Sequence, residues 1–148
     1  MTDTPMSDPS GRAAVLHAYF SYRDAPTALR WLERAFGFTT TFEVPDDKGG
    51  IQHAELRLDE VAITVFSDDG DYEHPRLKGE TVGHGTYISV ATEAAVDTFY
   101  DSAVQAGATV VWKPAGTEWG QYRCRVLDIE GYEWTFGTLR PGQSQTDW

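Results

Sequence analysis

The sequence predicts an α+β protein: two tandem βαβββ modules whose strands form a curved mixed sheet around a cleft. Two observations carry that expectation. The order strand, helix, strand, strand, strand occurs twice at a nearly constant offset. Laying Tyr22-Arg23-Asp24 on Val90-Ala91-Thr92 also brings Phe36-Gly37-Phe38 near Ala106-Gly107-Ala108, and Asp59-Glu60 near Glu130-Gly131. Within a chain of 148 residues, each copy is too short to bury a sheet face by itself, so the copies must share a core. Such a pair wraps about eight strands around a concavity suited to a ligand, with a helix on the outer face of each half. The implied organisation is a polar leader over 1–12, a first module over 13–67, a linker over 68–83, a second module over 84–140 and a polar tail over 141–148.

Each element has a local reason. Ala13–Tyr22 alternates, with Val15, His17, Tyr19 and Ser21 on one face and Leu16, Ala18, Phe20 and Tyr22 on the other, as in a half-buried strand. Asp24 suits an N-cap, and Pro26 is tolerated in a first turn. Leu29, Leu32 and Phe36 recur at helical spacing, with Trp31 and Ala35 widening the stripe. Gly37 ends the helix because the C′ position favours a left-handed glycine. Strands follow at Phe38–Val44, Ile51–Leu58 and Val61–Phe66, parted by turn residues at Pro45–Gly50 and Asp59–Glu60. Asp68–Lys78 is acidic and rich in turn formers, and reads as an exposed connection. The pattern then restarts with a strand at Gly85–Ala91 and a helix capped by Thr92. Val96, Phe99, Ala103 and Ala106 form one face of that helix, and Gly107 stops it. Ala108–Trp112, Tyr122–Leu127 and Glu133–Thr138 supply the last strands.

Composition narrows the function. Lys+Arg 12 against Asp+Glu 23 gives a net charge of −11, which argues against nucleic acid and against an anionic membrane surface as partners. A neutral or cationic small molecule suits that field better than a polyphosphate. Cys124 is the only cysteine, so there is no intrachain disulfide and no CxxC motif. It reads as a small buried residue rather than a nucleophile, since no His or acid stands at an activating spacing. No apolar run approaches membrane-spanning length and no signal-peptide pattern opens the chain, so a cytoplasmic protein is expected. Phosphate loops and GxSxG elbows are missing too.

Certain residues resemble a known superfamily. His17-Ala-Tyr-Phe-Ser-Tyr-Arg-Asp24 followed by Ala28-Leu29 and Ala35-Phe36-Gly37-Phe38 is similar to its opening strand and helix. Phe99-Tyr100, Ala106-Gly107-Ala108, Trp119-Gly120 and Asp128-Ile-Glu-Gly131-Tyr-Glu-Trp134-Thr-Phe-Gly-Thr138 resemble the second module of glyoxalase/bleomycin-resistance/dioxygenase proteins, the vicinal oxygen chelate group. The resemblance spans roughly residues 13 to 140 and is specific for fold, not reaction. It implies a homodimer. Members include metal-dependent isomerases, lyases and dioxygenases as well as antibiotic-binding resistance proteins.

In the metal-dependent members, His, Gln or Glu side chains on the first and last strand of each module hold one divalent ion. The resemblance places His17, Thr64, Gly85 and Thr135 at those positions. A single imidazole does not hold such an ion usefully, so no cofactor is expected. The remaining metal arrangement pairs His17 with Glu133, which shares the face of Thr135 at a different depth.

The ligand face rests on strand periodicity. If Ala54, Leu56 and Leu58 pack on the helix, then His53, Glu55 and Arg57 point together into the cleft. There Glu55 suits a cationic group and Arg57 a carboxylate; the bland alternative is a Glu55–Arg57 pair on a solvated face. Tyr19, Tyr87, Trp112 and Trp119 are candidate aromatic walls, whereas Trp31 and Trp134 read as core. Two functions follow. One is a protein that sequesters an aromatic or cationic compound; the other is a divalent-metal-dependent lyase, isomerase or dioxygenase using His17.

Overall fold

A computed structural model describes residues 11–143. The expected leader therefore lies almost entirely outside the described residues, and so does most of the expected tail. Ten elements run in the order β1 (Ala18–Tyr22), α1 (Ala25–Phe36), β2 (Thr39–Pro45), β3 (Ile51–Leu58), β4 (Val61–Ser67), β5 (Thr86–Ser89), α2 (Glu93–Gln105), β6 (Thr109–Gly116), β7 (Tyr122–Leu127) and β8 (Glu133–Gly137). The βαβββ order thus occurs twice, in an α+β protein. Each module makes a mixed four-stranded sheet, β1-β4-β3-β2 in the first and β5-β8-β7-β6 in the second. In each, the first strand runs parallel to the last and the other pairs are antiparallel.

The caps act as their residue types dictate. The Asp24 carboxylate accepts from the Thr27 amide at 3.2 Å, and Gly37 closes α1 with φ of 82°. Thr92 accepts from the Ala95 amide at 3.1 Å and opens α2. β3 and β7 span the expected residues, because alternation and flanking turns agree there. β1 is shorter than its alternation suggests. It begins at Ala18, paired with Ile63, and residues 13–17 run on as irregular chain. β6 instead extends to Gly116, since β7 offers a partner along that length.

The helices do more than cover the outer face of each half. α1 and α2 pack on each other as well as on their own sheets. The Trp31 indole Nε1 donates to the Ala106 carbonyl at 2.7 Å, and the Ser102 hydroxyl donates to the Arg34 carbonyl at 3.3 Å. Phe36 crosses from α1 to Trp134 and Phe136 of β8, with ring centroids 5.0 and 5.1 Å apart. One continuous core therefore joins both modules, and Trp31 and Trp134 belong to it. The sheets stay separate and unclosed, and the face of each that turns away from the helices is left open.

A buried polar hub joins the modules. Asp128, on the turn after β7, is 1% exposed and accepts from the Tyr22 hydroxyl at 2.6 Å and the Trp134 Nε1 at 3.0 Å. Burial pushes its carboxyl up, against the pull of those donors and of the Glu130 and Tyr132 amides. The Glu130 carboxylate accepts from the Arg23 and Asp24 amides at 2.7 and 2.9 Å, tying that turn to the start of α1. The connection before β5 is not wholly exposed, contrary to expectation. The His74 side chain is fully buried there and lies 2.9 Å from the Asp68 carboxylate.

Candidate functional site

The open face of the first sheet arises from the alternation of β3. Ala54 and Leu56 are fully buried against the core, so His53, Glu55 and Arg57 turn outward. The pair that forms is His53–Glu55, at 2.7 Å, rather than Glu55–Arg57. Arg57 instead donates through Nε to the Asp59 carbonyl at 2.8 Å. His17 stands just before β1, and its Nδ1 is 2.9 Å from the Ala62 carbonyl. A carbonyl only accepts, so Nδ1 is the donor in this contact. His17, Thr41, Glu55, Arg57 and Thr64 line a recess of about 410 Å³.

Tyr19, paired with Thr64 in the register, reaches a second cavity. It is 74% exposed and joins His74, His84, Tyr132 and Glu133 along a groove of about 530 Å³ between the modules. Glu133 is 5% exposed, with both carboxylate oxygens engaged. One accepts from the Val82 amide at 2.8 Å; the other accepts from the Thr81 hydroxyl at 3.0 Å and lies 3.3 Å from Arg125. Its role is to hold the incoming connection against β8.

The open face of the second sheet carries the remaining residues. β7 alternates Arg123, Cys124, Arg125, Val126, which buries Cys124 and Val126 and turns both arginines outward. Arg125 and Arg123 lie over the Trp112 ring at 3.9 and 4.2 Å from its centroid, and Arg123 lies 5.5 Å from that of Trp119. Arg125 is further fixed by donating to the Thr135 hydroxyl at 2.6 Å. Burial lowers the Arg125 pKa and the Arg123 charge adds to the shift, with Glu133 opposing both. Trp112, Trp119, Lys113, Thr117, Glu118 and Arg123 line a recess of about 500 Å³. Tyr87 sits opposite Thr135 in the register, and burial holds its hydroxyl pKa up. The sequence reading passed over Arg123 and Arg125, although the alternation of β7 placed them together.

The register tests the metal positions. Tyr19 pairs with Thr64 and Tyr87 with Thr135, so His17 and Gly85 are equivalent, each two residues earlier on its strand line. A Cβ on Gly85 would lie 2.8 Å from the Glu133 Cβ and carbonyl oxygen, which leaves no room for a ligand side chain without displacing β8. Thr135 is engaged by Arg125, and Glu133 and His17 line different recesses. Among the described residues no three His, Cys, Asp or Glu side chains converge. The donor set does not fit a divalent-ion centre.

The sequence profile described as Glyoxalase/Bleomycin resistance protein/Dioxygenase superfamily matches residues 14–136. The chain belongs to this superfamily. Among solved structures, TioX from Micromonospora sp. ML1 superposes with a TM-score of 0.63 at 25% identity, over 84% of this chain and 97% of that one. A glyoxalase/bleomycin resistance protein/dioxygenase domain from Frankia sp. EAN1pec reaches a TM-score of 0.69 at 17% identity, over 88% and 94%. That second likeness shows the fold alone. The uncharacterized protein Rv0887c of Mycobacterium tuberculosis is 29% identical over 115 residues, which is 77% of this chain and 68% of that protein. Membership accounts for the doubled module and leaves ligand and reaction open. Among the described residues, no helix is long and apolar enough to cross a membrane.

Proposed function

We propose that this superfamily member is a small-molecule-binding protein that sequesters an aromatic compound on the open face of its second sheet. The observation that carries this reading is the recess of about 500 Å³ framed by Trp112 and Trp119. Its volume suits a drug-sized ligand, and indole faces give planar contact at little conformational cost. The test is a fluorescence titration with a panel of planar aromatic compounds. Saturable quenching is expected, and it should disappear when Trp112→Leu and Trp119→Leu are combined. Quenching that survives both substitutions, or no quenching by any compound, would refute the reading.

A second reading, a divalent-metal-dependent lyase, isomerase or dioxygenase, is favoured by one observation: His17 is tied to the Ala62 carbonyl through Nδ1, which leaves Nε2 outside that bond. Stoichiometric metal in protein purified without chelator, lost on His17→Ala, would displace the binding reading. We propose in addition that the chain forms a homodimer. Leu16, Tyr19 and Phe42, all carried by the first module, are 95%, 74% and 53% exposed, and a second copy would cover them. Light scattering that returns a monomer at micromolar concentration would overturn this.

A further inference from the structure

We propose that the recess on the second sheet is an oxyanion site, so that its aromatic ligand carries a carboxylate held by the edge of the Arg123 guanidinium. The inference deepens the binding reading above and rests on it. It also reverses the cationic preference that the overall charge of −11 suggests.

The argument begins with the two arginines of β7. They share one face and both lie over Trp112, so two like charges meet beside a single ring. Arg125 is compensated: Glu133 lies 3.3 Å away and the Thr135 and Thr81 hydroxyls accept from it at 2.6 and 2.9 Å. Arg123 has no such partner. Among the described residues no carboxylate oxygen lies within 4.0 Å of its guanidinium nitrogens, and the Trp112 and Trp119 rings are close to it. Stacking occupies the faces of a guanidinium and leaves its in-plane N–H groups for an acceptor. Those N–H groups match the two oxygens of a carboxylate.

The surroundings fix the class of anion. Arg123 and Lys113 set against Glu118 leave one net positive charge in the recess, so a monoanion is matched and a phosphate dianion is not. Trp119 sits on the turn between β6 and β7, where the Thr117 amide donates to the Gln121 carbonyl at 2.7 Å. That turn places an aromatic wall beside the cation, so a flat ring bearing a carboxylate meets both features at once.

Three probes of one shape separate the outcomes: 2-naphthoate, 2-naphthamide and 2-naphthylmethylammonium, titrated by calorimetry into the full-length protein. The carboxylate should bind about tenfold more tightly than the amide, the effect of one charge-assisted hydrogen bond, and the ammonium most weakly. Arg123→Gln should bring carboxylate and amide to equal affinity, and Arg123→Lys should keep part of the preference because charge remains but the fork is lost. Circular dichroism of both variants establishes that they fold. If the amide binds wild type as well as the carboxylate does, or if Arg123→Gln leaves the preference intact, the oxyanion site is wrong while aromatic binding stands. If no naphthyl probe binds, the oxyanion site falls, and aromatic binding stands or falls with the quenching panel.

Discussion

Replacing Tyr22 by Phe isolates the hydrogen bond that joins the modules. Tyr22 is fully buried, and its ring packs on Phe20 and Tyr132 at centroid distances of 6.1 and 5.3 Å, contacts that phenylalanine keeps. What is lost is the 2.6 Å bond to the Asp128 carboxylate. A bond to a charged group is worth about 1.5–3 kcal/mol. Asp128 retains Trp134 and the Glu130 and Tyr132 amides, so the loss should sit near the lower figure. Urea unfolding followed by tryptophan emission would show this as a midpoint lowered by roughly 1 M at unchanged slope.

The loss should also depend on pH. Burial raises the Asp128 pKa in the fold, so its contribution is fully present below the unfolded value of about 4 and is lost as pH rises through the folded value. The Tyr22 hydroxyl favours the ionised carboxylate and moderates that decline. Tyr22→Phe removes the moderation, so the gap between variant and wild type should be wider at neutral pH than in acid. An unchanged midpoint, or a gap equal at both ends, would show that the hub does not couple the modules.

Three further outcomes follow from the geometry. Gly85→Ala should lower the melting temperature, with a loss of about 1–3 kcal/mol, because the added Cβ meets Glu133 at 2.8 Å; thermal melts at neutral pH check it. Glu133→Ala removes the acceptor of Thr81 and Val82 and leaves Arg125 short of its counter-charge. Trypsin should then cut faster after the exposed Arg76 and Lys78, and a cleavage rate equal to wild type would count against the locking role. Cys124 is fully buried and its thiol is pushed up to about 11, so a thiol reagent at pH 8 should label it only on unfolding; rapid labelling of native protein would contradict the structure.

Short-range chemistry was legible in the residues themselves. Asp24, Gly37 and Thr92 act where their side chains and backbone freedom require, and the bounds of β3 and β7 follow from alternation between turns. The doubled βαβββ order was legible for the same reason, as was the outward set His53, Glu55 and Arg57. Contacts between residues far apart in the chain were not. Tyr22 meets Asp128 across 106 residues and Val82 meets Glu133 across 51, and neither pairing leaves a periodic trace. Which faces open to solvent was likewise a tertiary outcome. Periodicity gives a strand two faces but does not say what covers either. Here the helices meet in one core, and His17 and Trp112 line separate recesses, one on each module. The residues thus determined a doubled module with aromatic and polar faces. Only packing decided that Arg125 would find Glu133 while Arg123 would not, because a charge finds its counter-charge in space rather than along the chain.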